Sequence, residues 1–301
     1  MRIFITGATG FIGQGVVRAA LDAGHQVTGL VRSTTSSSAQ DLAGLGVALV
    51  EGDLGDPQTF VASAAEHDAI VHTASTNDAS AGAVDQAAVA AVLAAMSPGS
   101  ALVYTSGAWV YGNTGMGPVT ESAEVNPTDL VAWRPAVEQQ VLSMAAQRGI
   151  SVTVLRPAMV HGHGGGVFAL LAQMGRDGGV VRTPGDGRNR WPTVHVDDLG
   201  TAYVSALTQA VSQNPEVDGQ ILNIVAEEAV EVTKMAEAIR TAVGANAVDV
   251  WPVEQARQQL GLFADALALD QSVDGQRARR VLGWAPQRPD VIADLTAWPH
   301  H

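Results

Sequence analysis

The chain contains no cysteine. That absence removes disulfides, thiol catalysis and zinc–thiolate sites together. Lysine is almost missing as well, Lys234 being the only one against many arginines, so any motif that needs a lysine at fixed spacing has one place to be. Basic residues are scarce overall, with 17 Lys and Arg facing 30 Asp and Glu for a formal charge of −13. Such a charge repels phosphate backbones and acidic membrane surfaces, so neither nucleic acid nor a membrane is an expected partner. No stretch approaches the roughly 18 uninterrupted apolar residues needed to span a bilayer. The N-terminus, "MRIFITG", enters an apolar run at once, with glycines following too soon for a secretory signal, and a cytoplasmic location is expected. What is plentiful is apolar surface: 301 residues at 47% hydrophobic content can fill one large domain or two unequal ones.

From Arg2 to about Val160 short apolar runs alternate with longer helical patterns. "RIFITG", "QVTGLVR", "VALVEGD", "AIVHTAS", "ALVYTSG" and "SVTVLRPAMV" read as strands. Runs apolar on both faces predict a parallel sheet covered by helices, here over about Gly13 to Ala23, Pro57 to Glu66, Ala83 to Met96 and Pro135 to Gln147. "STTSSSAQ", Ser33 to Gln40, reads as a polar loop. Past Val160 the texture changes to "HGHGGG" and "TPGDGRNRW" and then to mixed short elements. The expected division is a sheet domain over 1–160 and a smaller lobe over 161–301, some of whose segments return to the first domain. The fold class is therefore α/β, a doubly wound parallel sheet with a smaller C-terminal lobe.

"TGATGFIG" follows the first strand and opens the first helix. Gly7, Gly10 and Gly13 then stand where a backbone must turn tightly, approach a pyrophosphate, and pack helix on strand. The strand, turn and helix context is what makes the motif specific. Gly7, Thr9 and Gly10 form the turn, and the pyrophosphate rests on the amides of about Phe11 and Ile12 at a positive helix end. At the end of the second strand an acidic residue would bind a ribose 2′-hydroxyl, whereas Arg32 with Ser33 suits a 2′-phosphate; NADP is therefore expected over NAD. Asp53 and Leu54 after the third strand suit adenine, and Thr73, Ala74 and Ser75 after the fourth lie at the carboxyl edge where ligands bind in such sheets. Each of these also has a plain reading as a strand end or a solvated loop.

With "TGATGFIG", "GDL", "VYTSGAWVYG", "LRPAMVHG" and "WPTVHVDDL" in place, the chain resembles the short-chain dehydrogenase/reductase superfamily in its extended form, related to sugar epimerases and dihydroflavonol reductases. The resemblance spans about Arg2 to Leu199. It implies a Rossmann-type NADP-binding domain over 1–160 and a mainly substrate-binding lobe over 161–301 that holds the substrate over the nicotinamide, with Thr105, Pro157, Met159 and Val160 lining the nicotinamide end. Many members dimerise through helices flanking the sheet, which allows a homodimer here. Extended members share a Tyr-x-x-x-Lys helix, and this chain cannot hold one. Lys234 has Val230 four places before it, while Tyr104, Tyr111 and Tyr203 have Ala108, Gly115 and Leu207 four places after. In "LVAWRPAVEQQ" the motif positions carry Leu130 and Arg134. The pattern is similar to atypical subgroups, one of which has His-x-x-x-Arg, though Leu130 departs even from that.

Hydride transfer asks little of a protein beyond orientation, but an oxyanion must still be stabilised. By the resemblance Ser106 is the best-placed hydroxyl, although the carbonyl-binding hydroxyl more often falls one residue later, at Gly107. Arg134 is permanently charged, so it can hold the cofactor or an oxyanion but cannot be a general acid. Pro135 fits the first helical position, which places Arg134 at the helix mouth. His161 titrates in the useful range and is the candidate donor; His163 is a weaker one, and His195 is expected to be structural, ahead of a helix capped by Asp197 or Asp198. No metal site is expected, since no cluster of further ligands accompanies the histidines. The proton can also come from water or from an acidic group on the substrate. The expected activity is NADPH-dependent reduction of a ketone or aldehyde; the alternatives are a catalytically silent NADP(H)-binding sensor and, behind it, a sugar epimerase or dehydratase.

Overall fold

The computed structural model describes residues 1–115 and 117–298. In the first half, strands and helices alternate: β1 (Arg2–Thr6), α1 (Phe11–Asp22), β2 (Gln26–Val31), α2 (Ser37–Gly44), β3 (Ala48–Glu51), α3 (Val61–Ala64), β4 (Ala69–His72), α4 (Ala81–Ala95), β5 (Ala101–Thr105), α5 (Arg134–Arg148) and β6 (Ser151–Pro157). Then come β7 (Met159–His161), α6 (Gly166–Gly178), β8 (Val180–Pro184), β9 (Arg190–His195), α7 (Val196–Val211), β10 (Gln220–Ile224), β11 (Glu227–Glu231) and α8 (Val232–Val243). The chain closes with β12 (Ala247–Trp251), α9 (Val253–Leu260), α10 (Phe263–Leu267), α11 (Gln276–Leu282) and α12 (Val291–Thr296).

Seven parallel strands form the central sheet in the order β10-β6-β5-β4-β1-β2-β3. Ile3, Phe4, Ile5, Ile70, Val71, Leu102 and Val103 are fully buried, as expected of strands covered on both faces. One face packs on α1 and α7 and the other on α4 and α5. The chain runs outward from β1 through β2 to β3, then returns to the far side of β1 as β4, which opens a crevice at the carboxyl ends of β1 and β4. The helices α1 and α7 meet glycine to glycine. A Cβ on Gly15 would lie 2.8 Å from the Val196 carbonyl oxygen, and one on Gly200 would overlap the Gly15 oxygen.

Two local expectations need correction. The stretch Ser33–Gln40 is not all loop, because α2 starts after Ser36, whose hydroxyl accepts from the Ala39 amide at 3.3 Å. Ala39 and Leu42 then bury on the sheet. The helix expected over Pro57–Glu66 is broken into a 3₁₀ turn, Pro57–Thr59, and the short α3. Between them Phe60 leaves the helical region, at φ −138°, and buries its ring beside Phe4 with centroids 6.2 Å apart.

The smaller lobe holds a three-stranded sheet, β11-β9-β7, and a two-stranded one, β12-β8, around Phe168, Trp191, Met235, Ile239 and Leu295. α7, β10 and α11 leave that lobe and pack with the large sheet. Among the described residues no helix is long and apolar enough to cross a membrane.

Candidate active site

The glycine turn is built as its spacing demands. Gly7 has φ +71°, where an L side chain is strained, and a Cβ there would lie 2.7 Å from the Ala74 amide nitrogen. Its carbonyl accepts from Gly10 N at 2.9 Å, and a Cβ on Gly13 would overlap the same carbonyl. The helix α1 begins at Phe11 behind Gly10 with no side-chain cap and no acidic residue in its first turn. Its first bond back to the cap is made by Gln14 N, so the amides of Phe11, Ile12 and Gly13 have no helical acceptor and face the turn. The Thr9 carbonyl accepts from Gln14 Nε2 at 2.9 Å, closing the turn. Beside it, the Phe11 ring packs against Gly165 and Gly166, where no Cβ would fit at Gly165.

The next strand ends lie beside this turn. Arg32 is exposed and makes no hydrogen bond or ion pair among the described residues. Ser33 pairs its hydroxyl with Thr35 at 2.9 Å, and the Thr34 amide donates to Glu51 Oε2 at 3.0 Å, so the loop carrying Arg32 is tied down while its guanidinium is not. After β3, Asp53 is exposed and turns one oxygen back to the Gly55 amide at 2.8 Å, with Leu54 half-buried next to it. After β4, the Thr73 hydroxyl donates to the Thr6 carbonyl at 2.7 Å, and Ala74 and Ser75 are half-buried along the crevice.

Beneath that edge lies a polar network that motif reading missed. His72 Nδ1 meets the Thr6 hydroxyl at 3.0 Å, His72 Nε2 meets Asp85 Oδ1 at 3.0 Å, and the Tyr104 hydroxyl donates to Asp85 Oδ2 at 2.5 Å. All four side chains are buried. Burial pushes the Asp85 carboxyl up, but the bonds from His72 and Tyr104 and the Arg134 charge outweigh it and leave it below the usual range. Burial, with the Asp85 charge beside it, pushes the Tyr104 phenol far up. The signal in the sequence was a polar Asp85 on the buried face of an otherwise apolar helix, "AGAVDQAAVAAVLAA".

At the end of β5, Ser106 is buried and its Oγ has no partner, while its amide donates to the Leu155 carbonyl at 2.7 Å. A Cβ added to the neighbouring Gly107 would meet nothing within 4 Å, so space opens where the expected carbonyl-binding hydroxyl would stand. Arg134 is the first residue of α5, with Pro135 second rather than first. Its Nη1 donates to the Thr105 carbonyl at 3.0 Å and its guanidinium lies 4.5 Å from the centre of the Trp133 ring. Ser106 and Arg134 thus share the Thr105 junction, whereas Leu130, on the 3₁₀ turn Asp129–Val131, brings no titratable group. The Thr105 hydroxyl bonds Tyr203 at 2.6 Å; burial raises the Tyr203 phenol, with the Thr105 bond and the Arg134 charge opposing. Pro157, Met159 and Val160 follow along β6 and β7, the first two buried and Val160 half-buried.

The histidines form a cluster of their own. His161 is fully buried, its Nδ1 on Asp294 Oδ2 at 2.8 Å and its Nε2 without a partner. His195 Nε2 lies 3.7 Å from the other Asp294 oxygen, and His163 Nε2 is 2.9 Å from Asp197. The expected Asp197 or Asp198 cap of α7 is corrected: His195 is the cap, its Nδ1 accepting from Asp197 N at 3.1 Å. Asp198 instead accepts from the Gln287 and Arg288 amides, each at 2.8 Å. Burial lowers His195 and raises Asp294, but the His161 bond and the histidine charges leave Asp294 below its ordinary value. His161, His195 and Asp294 are spaced closely enough to hold a metal ion. Asp294 comes from α12, beyond the reach of any local spacing, and its bond to His161 uses the same atoms to dock that helix.

A further buried pair braces the site from behind. Arg156 Nε and Nη2 grip the two Glu138 oxygens at 2.9 and 2.5 Å, and Nη1 donates to the Tyr111 hydroxyl at 2.9 Å. These bonds tie β6 to α5 and to the turn after Ser106.

An uncharacterized protein of Schizosaccharomyces pombe is 32% identical over 99% of both chains. A Stenotrophomonas maltophilia protein named 2-alkyl-3-oxoalkanoate reductase is 29% identical over 95% of both. Among solved structures, a UDP-glucose-4-epimerase from Stenotrophomonas maltophila with bound NAD superposes with a TM-score of 0.79 at 22% identity, covering 99% of this chain and 97% of that one, which shows a shared fold. The family model for the NAD dependent epimerase/dehydratase family matches residues 3–224, from the first strand of the central sheet to the end of its last. The chain belongs to that family, in the extended branch of the short-chain dehydrogenase/reductases.

Proposed function

We propose that the chain is an NADPH-dependent reductase acting on the ketone or aldehyde of a medium-sized, partly apolar or aromatic organic substrate. The observation that carries this is the unpartnered Ser106 hydroxyl, buried beside the open space at Gly107 and next to the Arg134 guanidinium at Thr105. A buried hydroxyl left unpaired costs roughly 1–3 kcal/mol, which a substrate oxygen would recover. The crevice fits a dinucleotide: amides without acceptors at α1, a cradle that a Cβ would fill at Gly7 and Gly13, and a free guanidinium at Arg32 that suits a 2′-phosphate. Gly7, Thr9, Gly10, Phe11, Ile12 and Gly13 would hold the pyrophosphate, Arg32 and Ser33 the phosphorylated ribose, Asp53 and Leu54 the adenine, and Thr73 to Ser75 the crevice wall. When bound, the nicotinamide supplies hydride.

The protein's own part is electrostatic. Ser106 donates to the carbonyl oxygen and Arg134 stabilises the negative charge that grows there. Arg134 cannot give up a proton, and His161 would have to leave its buried bond with Asp294 to do so. The proton then comes from water or from an acidic group on the substrate. Losing a positioned general acid costs about 10²–10⁴ in rate, so turnover is slow unless the substrate offsets it. The 2-alkyl-3-oxoalkanoate reductase name of one relative favours carbonyl reduction. Epimerisation and dehydration normally draw on the tyrosine that Leu130 replaces.

The second reading is a silent NADP(H)-binding sensor, favoured by the same replacement. Loss of NADPH absorbance with a panel of ketones and quinones separates the two. The reductase reading expects turnover with at least one; binding without turnover across the panel would leave the sensor.

A further inference from the structure

We propose that Asp85, His72 and Thr6 form a buried positioning chain for the dinucleotide, setting the height of the Thr73–Ser75 segment over the glycine turn. The inference rests on the dinucleotide reading of the crevice.

The side chains of Thr6, His72 and Asp85 are 0%, 1% and 2% exposed at the residue level, directly under the carboxyl edge of β1 and β4. A carboxylate in such a place is costly unless its lone pairs are filled, and here they are filled in a fixed direction. An ionised Asp85 can only accept. Tyr104 donates to one oxygen and His72 Nε2 to the other. His72 Nδ1 and the Thr6 hydroxyl are bonded in either ring form: a neutral ring with its proton on Nε2 accepts from the hydroxyl, and a doubly protonated ring donates to it, so the hydroxyl closes the chain. That leaves an outer lone pair of Thr6 Oγ1 facing the crevice, where the Ala74 amide approaches at 3.4 Å.

Thr6 holds the segment through its main chain as well. Its carbonyl accepts from the Thr73 hydroxyl at 2.7 Å and from the Thr73 amide at 3.3 Å. The segment so fixed is the one that touches the glycine turn, because a Cβ on Gly7 would lie 2.7 Å from Ala74 N. A shift of a few tenths of an ångström in Thr73–Ser75 therefore alters the width of the phosphate cradle. The Arg134 charge helps hold the Asp85 carboxyl below its ordinary value.

The test is the affinity for NADPH, read by fluorescence titration, in Thr6→Val, Thr6→Ser and Asp85→Asn, with thermal unfolding measured alongside. Valine keeps the shape of threonine but cannot bond His72, and Kd is expected to rise about tenfold. Serine keeps the hydroxyl and should bind within about twofold of the parent, a rescue that packing alone would not give. Asparagine has a single acceptor oxygen for the donors of His72 and Tyr104, so Asp85→Asn should also weaken binding and change the ¹⁵N shifts of the His72 ring. Should Thr6→Val fail to fold, Asp85→Asn with its ¹⁵N spectrum carries the decision. Parent-like affinity in the folded variants, with the parent binding well, overturns the positioning chain alone. A parent that binds neither NADPH nor NADH overturns the dinucleotide reading and this proposal with it.

Discussion

Replacing Gly13 by alanine sets helix propensity against space. On propensity alone alanine in a helix is favoured over glycine by about 1 kcal/mol. In the structure the added Cβ would overlap the Gly7 carbonyl oxygen and stand 3.0 Å from Ala8 Cα. Both neighbours are backbone, so neither can rotate away and α1 must shift off the turn. Overpacking of this kind costs about 1–3 kcal/mol, which matches or exceeds the propensity gain. The larger consequence falls on binding, because the displaced carbonyl is the one that accepts from Gly10 N at 2.9 Å and shapes the turn beneath the free amides. A lost charge-assisted hydrogen bond to a phosphate is worth about 1.5–3 kcal/mol, so NADPH affinity should fall by roughly ten- to a hundredfold. Gly44→Ala is the control. It sits at the end of α2 with nothing within 4 Å of its added Cβ, and it should stabilise by roughly 0.5–1 kcal/mol without touching binding. Thermal unfolding and an NADPH titration on both variants read the two effects separately. Gly13→Ala with a raised Tm and unchanged affinity would refute the close-packed turn.

Stability should fall with acid in two stages. His195 is held neutral by burial below its ordinary value near 6.5, so its contribution is complete above that pH and is lost as pH falls beneath it. Asp294 is held low despite burial, so its contribution is complete above about pH 4 and is lost on further acidification. In His195→Asn, which keeps an acceptor for Asp197 N, a plot of Tm against pH should lose much of the upper stage; an unaltered profile would count against the assignment. Glu138→Leu leaves Arg156 buried without its carboxylate and should cost about 3–5 kcal/mol in denaturant unfolding, a loss under about 1 kcal/mol being inconsistent with the pair's burial.

What could be read in advance follows from how locally each feature is specified. The glycine turn needs only glycines at fixed spacing behind a strand, and Gly7, Gly10 and Gly13 take the positions that spacing requires. Arg134 could be placed because Pro135 marks a helix start, and one residue of error remained because proline is also accommodated at the second position. The helix α2 was hidden by a serine-rich run whose one informative member, Ser36, is a cap that only the burial of Leu42 makes worthwhile. Asp294 meets His161 across 133 residues, and no spacing rule reaches that far. Asp85 was closer to legible, since a carboxylate on the buried face of an apolar helix needs a partner. Which partner it takes depends on β4 and β5 lying side by side.

Calorimetric titration of the unmodified chain and of Arg32→Asp with NADPH and NADH reads the dinucleotide preference cleanly, because Arg32 has no partner within the described residues whose loss would confuse the result. The unmodified chain should bind NADPH more tightly by about one to two decades, and Arg32→Asp should abolish or invert the preference. Equal affinity for the two dinucleotides, or a preference untouched by the substitution, would contradict the NADPH reading.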